Sequence, residues 1–155
     1  MIREFKPTDK SAVMSLSAAV GLFGAVELAE LEKTVDQHLA AGDESREQWF
    51  VDEFIGVVGV AYAIPERMTE GTWNLLYIAV HPEQRKKGRG RLLLTHVESQ
   101  LIKKGARLLL VETAGIEDFD YVRSFYKASG FNEEGRISDF YTDGMDKVVY
   151  SKRLK

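Results

Sequence analysis

The order of elements written into this chain predicts an α/β fold of the α+β kind, helices packed on a mixed sheet. Three observations carry that expectation. Apolar runs of strand length and amphipathic runs of helix length follow one another as strand, two helices, three strands, helix, strand, helix, two strands. A strand, a Gly-rich loop and a helix succeed each other directly between residues 73 and 105. The 155 residues, 45% hydrophobic and 29% charged, suffice for one core of ordinary size. Since no repeat, low-complexity tract or linker divides the chain, 1–155 is expected to be a single domain.

Each element has a local reason. Ile2 to Phe5 alternates as a short strand, and Pro7-Thr8-Asp9 supplies turn and cap chemistry for a helix that carries Val13 and Leu16 inward. Gly21 and Gly24 interrupt that helix. A second begins near Glu27, with Leu28, Leu31, Val35 and Leu39 at helical spacing and Gly42 beyond its end. Trp49 to Asp52 and Val57 to Ala63 read as a hairpin around Gly56. Pro65 and Gly71 then lead into Trp73 to Val80, a run apolar enough to be buried on both faces. Leu93, Leu94, Val97 and Leu101 recur at helical spacing, Lys103 and Lys104 suit the last turn, and Gly105 closes the helix. Leu108 to Glu112 is a further strand, Val122 to Tyr126 lies on a helix, and Ile137 to Tyr141 and Lys147 to Ser151 flank the turn signal Asp143-Gly144.

The loop after Val80 reads Arg85-Lys86-Lys87-Gly88-Arg89-Gly90-Arg91. A basic run of this kind serves as a solvated face, as a nucleic-acid patch or as a phosphate cradle. Its position before a helix favours the cradle: Gly88 and Gly90 let the backbone turn tightly and approach a ligand, while the unpaired N–H groups of the helix's first turn attract an anion. Two known phosphate loops do not fit. The Walker pattern requires Lys and then Ser or Thr after its second glycine, where this chain has Arg91 and Leu92. The dinucleotide fingerprint requires Gly or Ala at position 93, which is Leu.

Charge narrows the partners. The chain has 21 Lys and Arg against 24 Asp and Glu; the segment 85–91 holds five of the former and none of the latter, which leaves 16 against 24 elsewhere. A broad basic surface for nucleic acid is therefore not expected, and the acidic remainder suits a cationic acceptor such as an amine. No run of 18 apolar residues and no signal-peptide pattern occurs, so neither a membrane partner nor secretion is expected, and a cytoplasmic location is. With no cysteine, and with histidines only at 38, 81 and 96, no metal site is expected.

The loop resembles the coenzyme A signature of the GNAT superfamily of N-acetyltransferases: Arg or Gln, two residues, Gly, one residue, then Gly or Ala, after a strand ending Val-x-Pro. Val80-His81-Pro82 and Arg85 to Gly90 match every defined position, and Phe125-Tyr126-Lys127-Ala128-Ser129-Gly130-Phe131 resembles the family's helix ending in Tyr, three residues, Gly-Phe. The resemblance extends over roughly the whole chain. It implies a mixed, mostly antiparallel sheet with splayed parallel strands 4 and 5, flanked by helices on both faces. It implies acetyl-CoA as the donor, held by the backbone of Ile78, Ala79 and Val80 and by Arg85, Lys86, Lys87, Gly88, Arg89, Gly90 and Arg91. The acceptor would be an amine of a small molecule or a protein.

Acetyl transfer from a thioester to an amine needs a positioned carbonyl, a group that takes the amine's proton and a donor for the departing thiolate. The family match nominates Tyr126 as the general acid, although its spacing with Val122 and Phe125 equally suits a core tyrosine. Glu112 is the candidate base, as the polar end of an apolar strand whose C-terminal end should border the splay; a plain polar cap fits the same pattern. Glu70, Asp139 and Tyr141 are reserves. Where many relatives have an Asn six residues before the Tyr, in contact with the pantetheine arm, this chain has Asp120. The aromatic-rich terminal hairpin is a surface on which a homodimer could pair. The rival to an enzyme is a non-catalytic acyl-CoA sensor or regulatory module.

Overall fold

The structure is a computed structural model and describes residues 1–154. Its strands and helices run β1 (Ile2–Glu4), α1 (Lys10–Val20), α2 (Ala25–Ala41), β2 (Gln48–Glu53), β3 (Val57–Pro65), β4 (Thr72–Val80), α3 (Arg89–Lys103), β5 (Leu108–Ala114), α4 (Asp120–Ala128), β6 (Asn132–Thr142) and β7 (Met145–Arg153). This is the predicted order. Hydrogen bonding links the strands as β1-β2-β3-β4-β5-β7-β6, a mixed, mostly antiparallel sheet in which β4 and β5 are parallel. The chain divides into two compact units, residues 1–64 with 77–99, and residues 65–76 with 100 onward.

In the first unit β1, β2 and β3 are antiparallel neighbours, with Ile2 opposite Asp52 and Phe50 opposite Ala61. Period-two alternation turns Trp49, Val51, Val60 and Tyr62 to the buried cluster that takes Val13 and Leu16 from α1 and Val35 from α2. Trp49 and Tyr62 stack with ring centroids 4.2 Å apart. Gly21, at φ +78°, ends α1 in the left-handed conformation that favours glycine. Asp9 does not cap α1 with its side chain, contrary to the sequence expectation. Arg3 donates to its two carboxylate oxygens at 2.7 and 2.9 Å, and the Lys6 N–H donates to it at 2.8 Å. The Arg3 guanidinium is the main reason that the Asp9 carboxyl titrates below its ordinary range.

The second unit is built on β5, β6, β7 and the first half of β4, with α4. Thr72–Leu75 pairs in parallel with Leu108–Val111, and β5 goes on to Ala114 against β7. Leu109, Val111 and Tyr150 are fully buried and share a face, because Val111 lies opposite Tyr150 in the antiparallel ladder. Gly71 is required by packing as well as by its φ of +79°, since a Cβ there would lie 2.7 Å from the Gly105 carbonyl. β6 is longer than expected and exposed along its whole length.

One sequence expectation about β4 is corrected. Thr72 to Leu75 are buried, but Leu76 is 44% exposed, and Tyr77, Ile78 and Val80 are only partly covered. The change falls where the β5 register ends, at Leu75 opposite Val111. A strand buried on both faces needs a neighbour for its full length, and composition alone does not disclose where a parallel partner departs.

Candidate active site

The glycine loop lies within the first unit. Val58 anchors its start by accepting the His81 N–H at 2.8 Å, and Pro82–Gln84 forms a single 3-10 turn. Lys86 at φ +60° and Gly88 at φ +78° both take the left-handed conformation, which reverses the chain sharply before Arg89 opens α3. A non-glycine residue in that region is uncommon and points to a loop shaped for more than connection. A Cβ on Gly88 would have no atom within 4 Å, so the space in front of this residue is open. Gly90 falls in the first turn of α3, and the N–H groups of that turn have no partner inside the helix. Positively polarised main chain around open space suits an anionic diphosphate.

The basic side chains of the loop have separate duties. Arg85 Nε donates to the Val80 carbonyl at 3.3 Å, and Lys87 Nζ donates to the Glu83 carbonyl at 3.0 Å. Lys86 and Arg91 are exposed. Arg89 pairs at 2.8 Å with Asp52, whose side chain is 4% exposed, and its guanidinium carbon lies 4.2 Å from the Phe54 ring centroid. Removing Arg89 would leave the buried Asp52 carboxylate only the exposed Met1 ammonium, 3.6 Å away, as a counter-charge. Arg89→Ala should therefore lower unfolding stability by about 3 kcal/mol, read as a reduced denaturation midpoint at unchanged slope. A loss below about 1 kcal/mol would show that Asp52 finds solvent or another cation. Ile78, Ala79 and Val80 sit on β4 just before this loop, and Ala79 joins the buried cluster of the first unit.

The second unit carries both candidate catalytic residues. Tyr126 on α4 is 5% exposed and packs edge-on against Phe131, with centroids 5.5 Å apart, and against Tyr150 at 6.2 Å. Burial pushes its phenol above the ordinary value near 10. Among the described residues its hydroxyl has no hydrogen-bond partner. Glu112 lies opposite Val149, one residue past the Val111–Tyr150 pair, and so projects from the other face of β5. Its Oε2 is 2.9 Å from Lys147 Nζ, and its Oε1 accepts from Asn74 Nδ2 at 3.3 Å. The same amide nitrogen donates to Glu66 Oε1 at 3.1 Å. Lys147 also lies over the Phe140 ring at 4.2 Å, and burial, then the Glu112 charge, raise the Tyr141 phenol.

Sequence reasoning missed Asn74, Glu66 and Lys147. Asn74 was visible as the one polar letter between Trp73 and Val80, and only tertiary pairing gives it a role. Of the reserves, Tyr141 is near this cluster. Asp139 instead accepts the Gly144 N–H at 2.7 Å within the hairpin, and Glu70 accepts from Arg107 through its main-chain carbonyl. Asp120 is paired with Arg123, whose guanidinium also donates to the Ala114 and Ile116 carbonyls. Among the described residues no group of three His, Asp or Glu side chains is arranged to hold a metal, and no helix is long and apolar enough to cross a membrane.

Comparison with known proteins agrees with this architecture. Residues 44–133 match the model of the acetyltransferase (GNAT) domain. The [Ribosomal protein bS18]-alanine N-acetyltransferase of Escherichia coli strain K12 is 31% identical over 91 residues, a region spanning 57% of this chain and 60% of that protein. A crystal structure of a GNAT-family protein from Desulfovibrio desulfuricans superposes with a TM-score of 0.94 at 32% identity, covering 100% of this chain and 99% of that one. The Escherichia coli ribosomal-protein-S18-alanine N-acetyltransferase structure shares the fold at a TM-score of 0.80 and 22% identity, over 100% of this chain and 94% of that one. The chain belongs to the GNAT acetyltransferase family.

Proposed function

We propose that residues 1–155 act as one acetyltransferase domain that moves an acetyl group from acetyl-CoA to a primary amine by direct attack. The observation that carries this reading is the arrangement around β5. Tyr126, whose hydroxyl has no hydrogen-bond partner among the described residues, packs on Tyr150 opposite Val111, and the Glu112 carboxylate projects from the other face of the strand. The β4–β5 pairing runs to Leu75 opposite Val111, one residue before Glu112.

In this reading the main chain of 86–91 binds the diphosphate of the donor, and Ile78, Ala79 and Val80 offer backbone groups to its pantetheine arm and carbonyl. The amine nitrogen attacks the thioester carbon; the C–N bond forms and the C–S bond breaks. An alkyl ammonium titrates near 10.4, so near neutral pH the attacking species is the small neutral fraction of the amine, its first proton given up to water. Glu112 takes the second proton, which leaves as C–N bonding makes the nitrogen acidic. Lys147 occupies Oε2 at rest and gives way to the incoming amine.

Tyr126 faces the opposite problem. A thiol titrates near 8.5, below a phenol whose value burial has raised, so full proton transfer to the thiolate is uphill. Its service is a hydrogen bond to the charge developing on sulfur, with the phenol kept protonated across the working pH range.

A thiol-release assay with acetyl-CoA and a panel of amines tests the reading. A peptide beginning with alanine belongs in that panel, because a relative acts on the alanine of a ribosomal protein. Acetyl-CoA-dependent thiol release with at least one amine is expected. Tight acetyl-CoA binding without turnover on any amine would favour the sensor.

A further inference from the structure

We infer that Asn74 is a positioning residue for Glu112, and that Glu66 forms the far side of the brace. This rests on Glu112 being the group that takes the acceptor's proton. Asn74 is 3% exposed and lies on β4 between two apolar neighbours, Trp73 and Leu75. Its amide nitrogen spends its two hydrogens on two carboxylates, Glu66 Oε1 at 3.1 Å and Glu112 Oε1 at 3.3 Å. The reverse orientation would aim an amide oxygen at both anions, so the assignment follows from charge.

That choice leaves the amide's own oxygen buried without a hydrogen-bond partner. An orphaned buried acceptor is a cost that stability alone gives no reason to retain. What the arrangement secures is orientation: with Oε1 held by Asn74, Glu112 keeps Oε2 toward Lys147 Nζ at 2.9 Å, the place an acceptor ammonium would take. The charged and titratable groups facing Glu112 are Lys147 from β7, Glu66 through Asn74, and the Tyr141 phenol of β6. Lys147 and the Asn74 N–H bring positive charge to the carboxylate, and Glu66 sets a negative charge behind the amide.

Two substitutions should thus move Glu112 in opposite directions. Asn74→Ala removes a donor from the carboxylate, so the acid limb of the kcat/KM profile shifts to higher pH, by about half a unit or more. Turnover at neutral pH falls roughly 10-fold while acetyl-CoA affinity stays within about twofold. Glu66→Gln removes a negative charge at constant shape, so the acid limb shifts to lower pH. Loss of packing alone would not give shifts of opposite sign.

The experiment is the pH–rate profile of wild type, Asn74→Ala, Glu66→Gln and Glu112→Gln, paired with carboxyl NMR titration of Glu112 in the first three. The titration reads the brace even where a variant turns over poorly, and Glu66→Gln reads it if Asn74→Ala does not fold. A folded Asn74→Ala with unchanged profile and unchanged Glu112 titration overturns the inference, as do shifts of the same sign in both variants. If Glu112→Gln matches wild type, it is the assignment of Glu112 as base that fails, and the positioning role fails with it. If Glu112→Gln is inactive and Asn74→Ala is normal, the positioning role alone is lost.

Discussion

Gly88→Val is expected to abolish the rise in melting temperature that acetyl-CoA gives the wild-type protein. At a ligand concentration of 100 times Kd, binding stabilises the native state by about 2.7 kcal/mol, and for a chain of this size each kcal/mol moves Tm by roughly 2–4 °C. The wild-type shift is then about 5–10 °C, and that of the variant is near zero. Two effects combine at this position. A β-branched residue at φ +78° meets a backbone penalty of roughly 1–2 kcal/mol, which disturbs the turn that aims the main chain. The added Cβ would also stand in open space, since nothing lies within 4 Å of it, and in the proposed complex that space belongs to the phosphates. Because no internal clash is created, the fold should survive and the loss should fall on binding. A Gly88→Val protein with the full wild-type shift would remove the loop from the binding site.

Tyr126→Phe is expected to lower kcat about 10- to 100-fold and to leave acetyl-CoA affinity nearly intact. The magnitude follows from the role: a hydrogen bond to a charged group is worth about 1.5–3 kcal/mol, and this one forms only as sulfur gains charge. Deleting the hydroxyl strands no partner among the described residues, because none of them is bonded to it. The ring contacts with Phe131 and Tyr150 should persist, so stability should change little. Steady-state rates with acetyl-CoA and the best amine of the panel, set beside calorimetric affinities, check both halves. Unchanged kcat would return Tyr126 to the hydrophobic core, the alternative that its helical spacing also allowed.

Much of this fold was legible because its signals are local. The glycine loop declares itself within seven residues, and its left-handed turn at Gly88 is one that glycine readily supplies. The hairpin turn at Asp143-Gly144 and the end of α1 at Gly21 were legible for the same reason. What escaped was set by partners far along the chain. The end of the β4–β5 register leaves Leu76 exposed in the midst of an apolar run, and no letter near Leu76 marks it. Asp9 looked like a helix cap, but the guanidinium of Arg3 on β1 competes for its carboxylate and wins. Glu66, Asn74, Glu112 and Lys147 come from three separate stretches of sequence, so neither spacing nor periodicity could assemble them.

The seat of the donor is the claim on which the enzymatic reading depends, and a crystal structure with coenzyme A tests it most directly. The account predicts the diphosphate within hydrogen-bonding distance of main-chain N–H groups between Lys86 and Arg91, beside the first turn of α3. A diphosphate bound elsewhere on the chain, or crystals that take up no coenzyme A at concentrations that saturate other family members, would contradict it.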